Sequence, residues 1–354
     1  MSITVWLPGL TSLLALLFTV ALLDQWRERR HGFQLIWAIG TLFYGIAAGS
    51  EALAAATGWT EGLYRTWYLT GAVWTAGWLG LGTAFLLGRT RFGYSFAVSL
   101  FLAGLFTFLV RNKPEYANAG PAPILYLIAA LVLALAIGIE TYFQNERWPY
   151  LAAFAVAGAT LLSVVLMLTT DLPAPGYAVD PATGMPVATI IPGHIRLLTP
   201  FLNITGAFSL VLGAIFSTYV FMPKRRVLTY SLDPSQPGDQ FLFNLAISPV
   251  AIAVNLVASL PGAVRALLAG RLHSRVPATI LIAIGAFIPT VTDGLVRFGY
   301  TELFELGKFL GVVFLFAGFL VSSEVFREIR IPFTRVRLRP ARQEAAPSDG
   351  GSQG

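Results

Sequence analysis

Apolar blocks of about 20 residues recur along the chain, the length at which a helix crosses the ~30 Å hydrocarbon layer of a membrane. Lipid offers the backbone no hydrogen bonds, so helices, which satisfy their own, are the open-ended structures that can span it. Only 12% of the 354 residues are charged, about half the share found in soluble domains. The sequence therefore predicts an all-α, polytopic transmembrane helix bundle.

Nine apolar blocks are predicted to be membrane spans, and a further block, 241–260, is ambiguous. The nine cover approximately residues 3–23, 33–57, 66–88, 92–110, 121–140, 149–169, 197–222, 278–297 and 303–325. No charged region precedes the first block, and no small-residue cleavage site follows it. We therefore interpret it as a retained span rather than a signal peptide.

The basic residues predict the orientation, because short cytoplasmic loops of membrane proteins carry an excess of Lys and Arg. We place the first basic loop, 24–32, in the cytoplasm. If 241–275 does not cross, 18 Lys and Arg lie inside and 6 outside; if 241–260 crosses, the counts are 11 and 13. We therefore predict nine spans, with ten as the alternative, in a cell inner membrane. The N-terminus is then outside and the C-terminus inside.

The ambiguous segment carries a narrow polar stripe on an apolar helix. Its members fall within about 60° of one another at helical spacing, and they are Asn244, Ser248, Asn255 and Ser259. We expect Pro261-Gly262 to break this helix before a basic stretch that ends at 276. One interpretation is a helix-turn-helix that lies in, or dips into, the inner leaflet. The other is a tenth span.

The predicted organisation has four parts. They are a seven-span bundle (1–222), a cytoplasmic loop with in-plane or re-entrant amphipathic helices (223–276), two further spans (277–326) and a basic, then disordered, cytoplasmic tail (327–354). The longest outside loop, 170–196, has two short extended runs around an Asp-Pro-x-x-Gly turn. This pattern predicts a small hairpin over the outer face, which is either an ordinary connector or a functional lid.

Ionisable groups near membrane depth are costly, so each is a candidate for function. The candidate ligand-binding residues of an outward-opening polar cavity are Glu51, Asp293, Asn203, Arg196 and Arg65. Arg196 or Arg65 would be the counter-charge to Glu51. A structural interpretation competes with this one. Asp293 with Arg297, and Glu305 with Lys308, are spaced so that each pair can neutralise itself on one helix.

Metal and cofactor chemistry has little support in the sequence. Cysteine is absent, and no two of the three histidines share a helix at metal-ligating spacing. We therefore predict no metal and no cofactor. The net charge is +6, but the basic residues form short clusters between apolar blocks, as cytoplasmic loops do. The predicted partners are the lipid bilayer and a cytoplasmic or membrane protein, and not nucleic acid.

One resemblance covers about residues 1–222. A basic loop, Arg27-Glu-Arg-Arg-His-Gly32, leads into the aromatic helix Trp37 to Tyr44, and Glu51 follows at its outer end. The run Leu63-Tyr-Arg-Thr-Trp-Tyr-Leu69 opens the third span, and Trp78-Leu-Gly-Leu-Gly82 lies deeper. These features resemble the seven-helix N-terminal sensor regions of some bacterial histidine kinases, and equally uncharacterised bacterial multi-span proteins. No phosphoacceptor or ATP-binding region follows, so the resemblance implies a sensing or scaffold-like bundle and identifies no active residue.

Three functions are consistent with this sequence. The first is a non-enzymatic sensor or partner-binding bundle with an outward-facing polar site, which passes a signal to a separate cytoplasmic partner. The second is a transporter or channel for a small solute or ion. The third is a membrane-embedded enzyme acting on lipid, with His194, Glu51 or Asp293 as acid or base. The enzyme requires these groups to converge within hydrogen-bond reach.

Overall fold

The computed structural model describes residues 3–116, 118–144, 146–181, 184–233, 237–269, 271–273, 275–296, 302–322, 329–330 and 337–339. Its α-helices are α1 (Ile3–Arg29), α2 (Gly32–Thr57), α3 (Glu61–Trp67), α4 (Thr75–Leu86), α5 (Gly93–Leu109), α6 (Ala122–Tyr142), α7 (Trp148–Thr169), α8 (Gly193–Arg196), α9 (Leu198–Phe221), α10 (Gly238–Leu268), α11 (Arg275–Val296) and α12 (Glu302–Val321). Two short antiparallel strands follow, β1 (Ile329–Arg330) and β2 (Arg337–Arg339). The predicted disordered tail, 340–354, lies outside the described residues.

Ten helical segments of the described chain are long and apolar enough to cross a membrane. Three of them join more than one element: α3 runs through a π-helical segment into α4, α5 continues to Asn112, and α8 continues into α9. The predicted all-α polytopic bundle is therefore confirmed. By length and composition alone the count includes α10, which is the ambiguous block of the sequence.

The bundle has two ends, which we name after residues. The Arg30 end holds the α1–α2 turn, the start of α5 and the end of α6. It also holds the junction of α9 and α11, where the hydroxyls of Thr218 and Thr279 are 2.8 Å apart. The Glu51 end holds the end of α2 and the start of α12, where Lys308 forms an ion pair with Glu51. The α11–α12 pair thus packs beside α1, α2 and α9.

Glycines allow the closest helix crossings. A Cβ atom added to Gly206 of α9 would collide with the backbone of Ala76 and Gly77, and one added to Gly80 would collide with Gly206 itself. Lipid provides no hydrophobic driving force between helices, so helices associate there through close van der Waals packing. Small residues allow that packing because they let the backbones approach closely. The crossing of α4 and α9 fixes the centre of the seven-span part.

The third span is not a regular α-helix. Residues Tyr68–Trp74 form a π-helix, and the hydroxyl of Thr75 donates to the carbonyl oxygen of Thr70 at 2.7 Å, five residues back. Within this segment Trp74 Nε1 donates to Ser163 Oγ of α7 at 2.8 Å. Short π-helical segments are rare and frequent at functional sites. The sequence predicted an uninterrupted span here and gave no sign of this feature.

The predicted hairpin in the loop 170–196 is confirmed. Val179 and Pro186 form an antiparallel bridge, and Gly184 N donates to Asp180 O at 2.8 Å across the turn. The hairpin is attached to the Glu51 end, because Tyr64 Oη of α3 donates to its Val187 carbonyl at 2.5 Å. It therefore covers part of that end.

The predicted break at Pro261-Gly262 is wrong, because α10 continues through both residues. A proline removes one backbone donor from a helix, and contacts on both sides of it hold α10 in one piece. Ser259 Oγ accepts a hydrogen bond from Arg225 N at 2.8 Å, and Ala263 packs with Met222 and Val276. The helix therefore stays continuous despite its proline.

Both halves of α10 contact the Arg30 end of the bundle. The ring of Phe241 lies 6.0 Å from that of Tyr94 at the start of α5 and 5.2 Å from that of Tyr142 at the end of α6. Ala263 packs against the end of α9 and the start of α11. Phe241 and Ala263 are separated by about 33 Å along the helix. Because residues this far apart on α10 both contact the Arg30 end, α10 lies along that end of the bundle and does not run through it.

Candidate functional site

The main candidate site is a buried ion cluster at the Glu51 end, formed by Glu51 of α2 and by Glu305 and Lys308 of α12. Lys308 Nζ donates to Glu51 Oε2 and lies 2.7 Å from Glu305 Oε1. The side chains of Glu51, Lys308 and Glu305 are only 9%, 15% and 16% exposed. We call these three residues the Glu51 cluster. It joins two spans that are 257 residues apart in the sequence.

Aromatic residues surround the Glu51 cluster and fix two of its members. Trp67 Nε1 donates to Glu51 Oε1 at 2.7 Å, so both oxygens of this carboxylate have partners. Tyr44 Oη donates to the main-chain oxygen of Lys308 at 2.7 Å. The ammonium group of Lys308 also lies 4.5 Å from the ring centroid of Phe304, within the range of a cation–π contact. The positions of Glu51 and Lys308 are therefore set by α2, α3 and α12 together.

The cluster holds two carboxyl groups and one ammonium group, so its charges do not balance when all three are ionised. Glu305 Oε2 is buried and has no hydrogen-bond partner among the described residues. Burying an unpaired charge or polar oxygen is unfavourable. The arrangement therefore favours the uptake of one positive charge at Glu305, either a proton or a small cation.

Arg65 is not the counter-charge to Glu51. Its Nε donates to Glu61 Oε1 at 2.8 Å, and its two terminal nitrogens donate to the main-chain oxygens of Met167 and Thr170. The guanidinium thus caps the last carbonyls of α7, which have no partner within their own helix. The hypothesis that Arg65 is the counter-charge to Glu51 is wrong, because Arg65 pairs with Glu61 and Glu51 pairs with Lys308.

The other predicted site residues do not contact the Glu51 cluster in any hydrogen bond or ion pair that the described residues form. Arg196 Nη1 donates to Glu115 O at 2.9 Å, and its guanidinium lies 5.6 Å from the ring of Tyr116. Asn203 lies on α9, with a buried Oδ1 that has no described partner. The backbone of Asp293 belongs to α11, but its side chain lies outside the described residues, as does Arg297. The ligand-binding roles of all five predicted residues, Glu51 and Arg65 included, stay predictions.

Lys308 is the functional candidate that sequence reasoning did not select. The predicted pairing of Glu305 with Lys308 on one helix is confirmed at 2.7 Å. The i,i+3 spacing predicted that Glu305 alone neutralises Lys308. The ammonium group of Lys308 also bonds Glu51, on a span far away in the sequence. A lysine at the start of an apolar helix was the available signal, and it did not identify the partner.

A second polar site lies at the Arg30 end, where α10 holds the chain that follows α9. Asn255 Oδ1 accepts hydrogen bonds from Val227 N at 2.7 Å and Leu228 N at 2.9 Å, and its Nδ2 donates to Leu228 O at 2.8 Å. The predicted polar stripe of α10 therefore faces the protein. Asn255 thereby positions the backbone of residues 227 and 228.

Residues 224–230, α9 and α10 line a partly open cavity of about 270 Å³. It is lined by Phe216, Tyr219, Val220, Lys224, Arg226, Leu228, Thr229, Tyr230 and Asn255. Lys224 Nζ lies 5.6 Å from the ring of Tyr219. Burial, followed by the neighbouring Tyr219, raises the pKa of Tyr230 above its ordinary value. The hydroxyl of Tyr230 forms a hydrogen bond with that of Tyr219, which contributes to this shift.

Comparison with protein-family models, curated proteins and solved structures finds no match for this chain. The resemblance of residues 1–222 to sensor regions of histidine kinases therefore stays a prediction. Function is accordingly inferred from the fold and from the geometry of the two polar sites.

Proposed function

We propose that this multi-pass membrane protein is a non-enzymatic sensor or partner-binding bundle of a bacterial-type inner membrane, with the Glu51 cluster as its polar site. The observation that carries the proposal is the unbalanced charge of this buried cluster. Ionisable residues within membrane spans are expensive to bury and mark functional sites. The input would be one positive charge, a proton or a small cation, taken up beside Glu305.

The contacts of α12 support a route for the signal. Between the Glu51 cluster and the Arg30 end, α12 packs against α1. The ring of Phe18 on α1 stacks on that of Phe316 on α12 at 4.7 Å and lies 5.1 Å from that of Phe319. Phe319 also lies 4.5 Å from Trp37 of α2. A change in the attraction between Glu51 and Lys308 would therefore shift α12 against the first two spans. The output would be the position of α12 at the Arg30 end, where a cytoplasmic partner would bind.

The orientation that this proposal requires places the Arg30 end in the cytoplasm. The distribution of Lys and Arg supports it, because nine spans leave most of the basic residues on that side. The contacts of both halves of α10 with the Arg30 end support nine spans rather than ten. The Glu51 cluster and the hairpin over residues 177–187 would then face outward.

The alternative functions have weaker support. A transporter needs a polar route from Glu51 towards the Arg30 end, but the buried hydroxyls of Thr19 and Ser209 each donate to a carbonyl oxygen of their own helix. Thr19 Oγ1 donates to Ala15 O at 2.9 Å, and Ser209 Oγ donates to Thr205 O at 2.6 Å. The enzyme hypothesis requires Glu51, His194 or Asp293 to converge as acid and base. Both oxygens of Glu51 are bonded to Trp67 and Lys308 instead, and no hydrogen bond among the described residues joins Glu51 to His194.

The test measures the distance between α2 and α12 by pulsed electron paramagnetic resonance. The chain has no cysteine, so Leu53→Cys and Leu306→Cys, both at exposed positions, carry the only spin labels. We expect the distance distribution to change between about pH 5 and about pH 9, where buried carboxyl groups of proteins titrate, or on addition of sodium or potassium ions. Glu305→Gln should hold the low-pH distribution at every pH.

Glu61→Gln is the matched control, because Glu61 is an acid at the same end that is half exposed and bonded to Arg65. It should respond like the unaltered labelled chain. An identical distribution under all conditions, in all variants, would remove the sensing proposal. Uptake of the same cations into sealed vesicles, lost in Glu305→Gln, would favour the transporter instead.

A further inference from the structure

The exposed face of α10 is apolar, and its protein-facing side is polar. Asn255 is only 1% exposed, whereas Val257 is 64% exposed. The exposed apolar residues on this helix include Leu242, Phe243, Val250, Val257, Val264 and Leu268. A helix with this distribution is stable where its outer face meets lipid and not water. Since both halves of α10 contact the Arg30 end, we place that face at the membrane interface.

The cavity beside α10 has both cationic and apolar lining residues. Lys224 and Arg226 are the cationic ones, and neither has a carboxylate partner among the residues that the structure describes. Tyr219 and Tyr230 add two phenol groups to the lining. Phe216 and Val220, from the last turns of α9, add an apolar surface at the level of the membrane span. Cationic and hydroxyl donors thus adjoin a lipid-level apolar surface.

We infer that this cavity binds the headgroup of an anionic phospholipid. Its phosphate would lie between the ammonium of Lys224 and the guanidinium of Arg226, with the hydroxyl of Tyr219 as a further donor. Basic pockets beside membrane spans bind anionic headgroups in this way. An acyl chain would continue along Phe216 and Val220.

The size and rigidity of the site suit a headgroup. The cavity, of about 270 Å³, is slightly smaller than pockets for drug-sized ligands, so it holds a headgroup and not a whole lipid. The backbone of residues 225–228 is fixed by Asn255 and Ser259 before any ligand arrives. A fixed backbone lowers the entropic cost of binding. This inference does not depend on the Glu51 cluster.

The test is native mass spectrometry of the full chain, purified in dodecylmaltoside with added phosphatidylglycerol or phosphatidylcholine. We expect one phosphatidylglycerol to be retained and phosphatidylcholine to be lost. The variant Lys224→Gln/Arg226→Gln should retain phosphatidylglycerol roughly 25-fold less tightly, a factor of about five for each basic side chain. The exchange Lys224→Arg/Arg226→Lys keeps the charge and should restore retention.

The matched control is Arg27→Gln/Arg89→Gln, which removes two cations from the same end outside the cavity. It should retain the lipid as the unaltered chain does. Equal loss in the control and in Lys224→Gln/Arg226→Gln would overturn the inference, because it would indicate general surface charge. Competition by millimolar inorganic phosphate would also overturn it, because the site would then take a free anion. Equal retention of phosphatidylcholine would exclude recognition of negative charge.

Discussion

Replacing Lys308 with methionine tests the energetic role of the Glu51 cluster. Methionine keeps much of the side-chain length but leaves Glu51 and Glu305 as two buried carboxyl groups without a counter-charge. Removing one partner of a buried ion pair costs about 3–5 kcal/mol, and we take ~3 kcal/mol because the three side chains are 9–16% exposed. At roughly 2 °C per kcal/mol, the midpoint of thermal unfolding should fall by about 6 °C.

The assay is intrinsic tryptophan fluorescence of the detergent-solubilised protein during heating at neutral pH. The eight tryptophans make it suitable, and thiol-reactive dyes would not work because the chain has no cysteine. Arg89→Met is the matched control, since Arg89 is 85% exposed and lies 3.3 Å from Glu146. Exposed pairs contribute less than about 1 kcal/mol, so this control should fall by no more than about 2 °C.

A triple variant separates charge from packing. Combining Lys308→Met with Glu51→Gln and Glu305→Gln removes every charge of the cluster. Replacing a buried ion cluster as a whole is often close to neutral, so the triple variant should recover most of the lost stability. If Lys308→Met behaves like Arg89→Met, or if the triple variant is as unstable as Lys308→Met alone, the charge argument is refuted.

Three further results should follow from the structure. In intact cells, an impermeant maleimide should fail to label Thr229→Cys and Ser352→Cys until the membrane is permeabilised, whereas ten spans would leave Ser352→Cys open to the reagent. Asn255→Leu removes the side-chain hydrogen bonds to Val227 N, Leu228 N and Leu228 O, each contributing about 0.5–1.5 kcal/mol. Trypsin should then cleave faster after residues 224–226, and an unchanged rate would contradict the assigned role. Gly206→Ala should lower the free energy of unfolding by about 1–3 kcal/mol through overpacking, and size-exclusion chromatography should show a lower yield of monodisperse protein. In the control Gly158→Ala the added methyl group meets open space, so the yield should equal that of the unaltered chain.

Local pattern was enough to predict most of the fold. The apolar blocks predicted the helical bundle because span length is set by membrane thickness, and the hairpin followed from its turn residues. The π-helical segment Tyr68–Trp74 was missed because its register depends on partners in other helices, such as Ser163. The break at Pro261-Gly262 was predicted from local propensity, which the contacts of Ser259 and Ala263 override.

The candidate site was predicted only in part. Glu51 was selected as an acid near one end of a span, because an ionisable group in a span is costly whatever its partners, and the structure buries it; its ligand-binding role stays a prediction. Its actual partner, Lys308, lies 257 residues away, and nothing in local spacing reports which spans become neighbours. Arg65 was a candidate counter-charge to Glu51 because both residues were predicted at the outer side of the membrane. Its guanidinium instead bonds Glu61 and the carbonyl oxygens at the end of α7.

The separation of Glu51 from Lys308 has a consequence for synthesis. Ribosomes add about 5–20 residues per second, so the 257 residues between them take roughly 13–50 s to be made. During that interval α1 and α2 are already in the membrane, and Glu51 has no lysine beside it. A nascent or truncated chain that lacks α12 therefore displays an unneutralised acid inside the lipid. The insertion of α12 supplies the lysine that pairs with this acid.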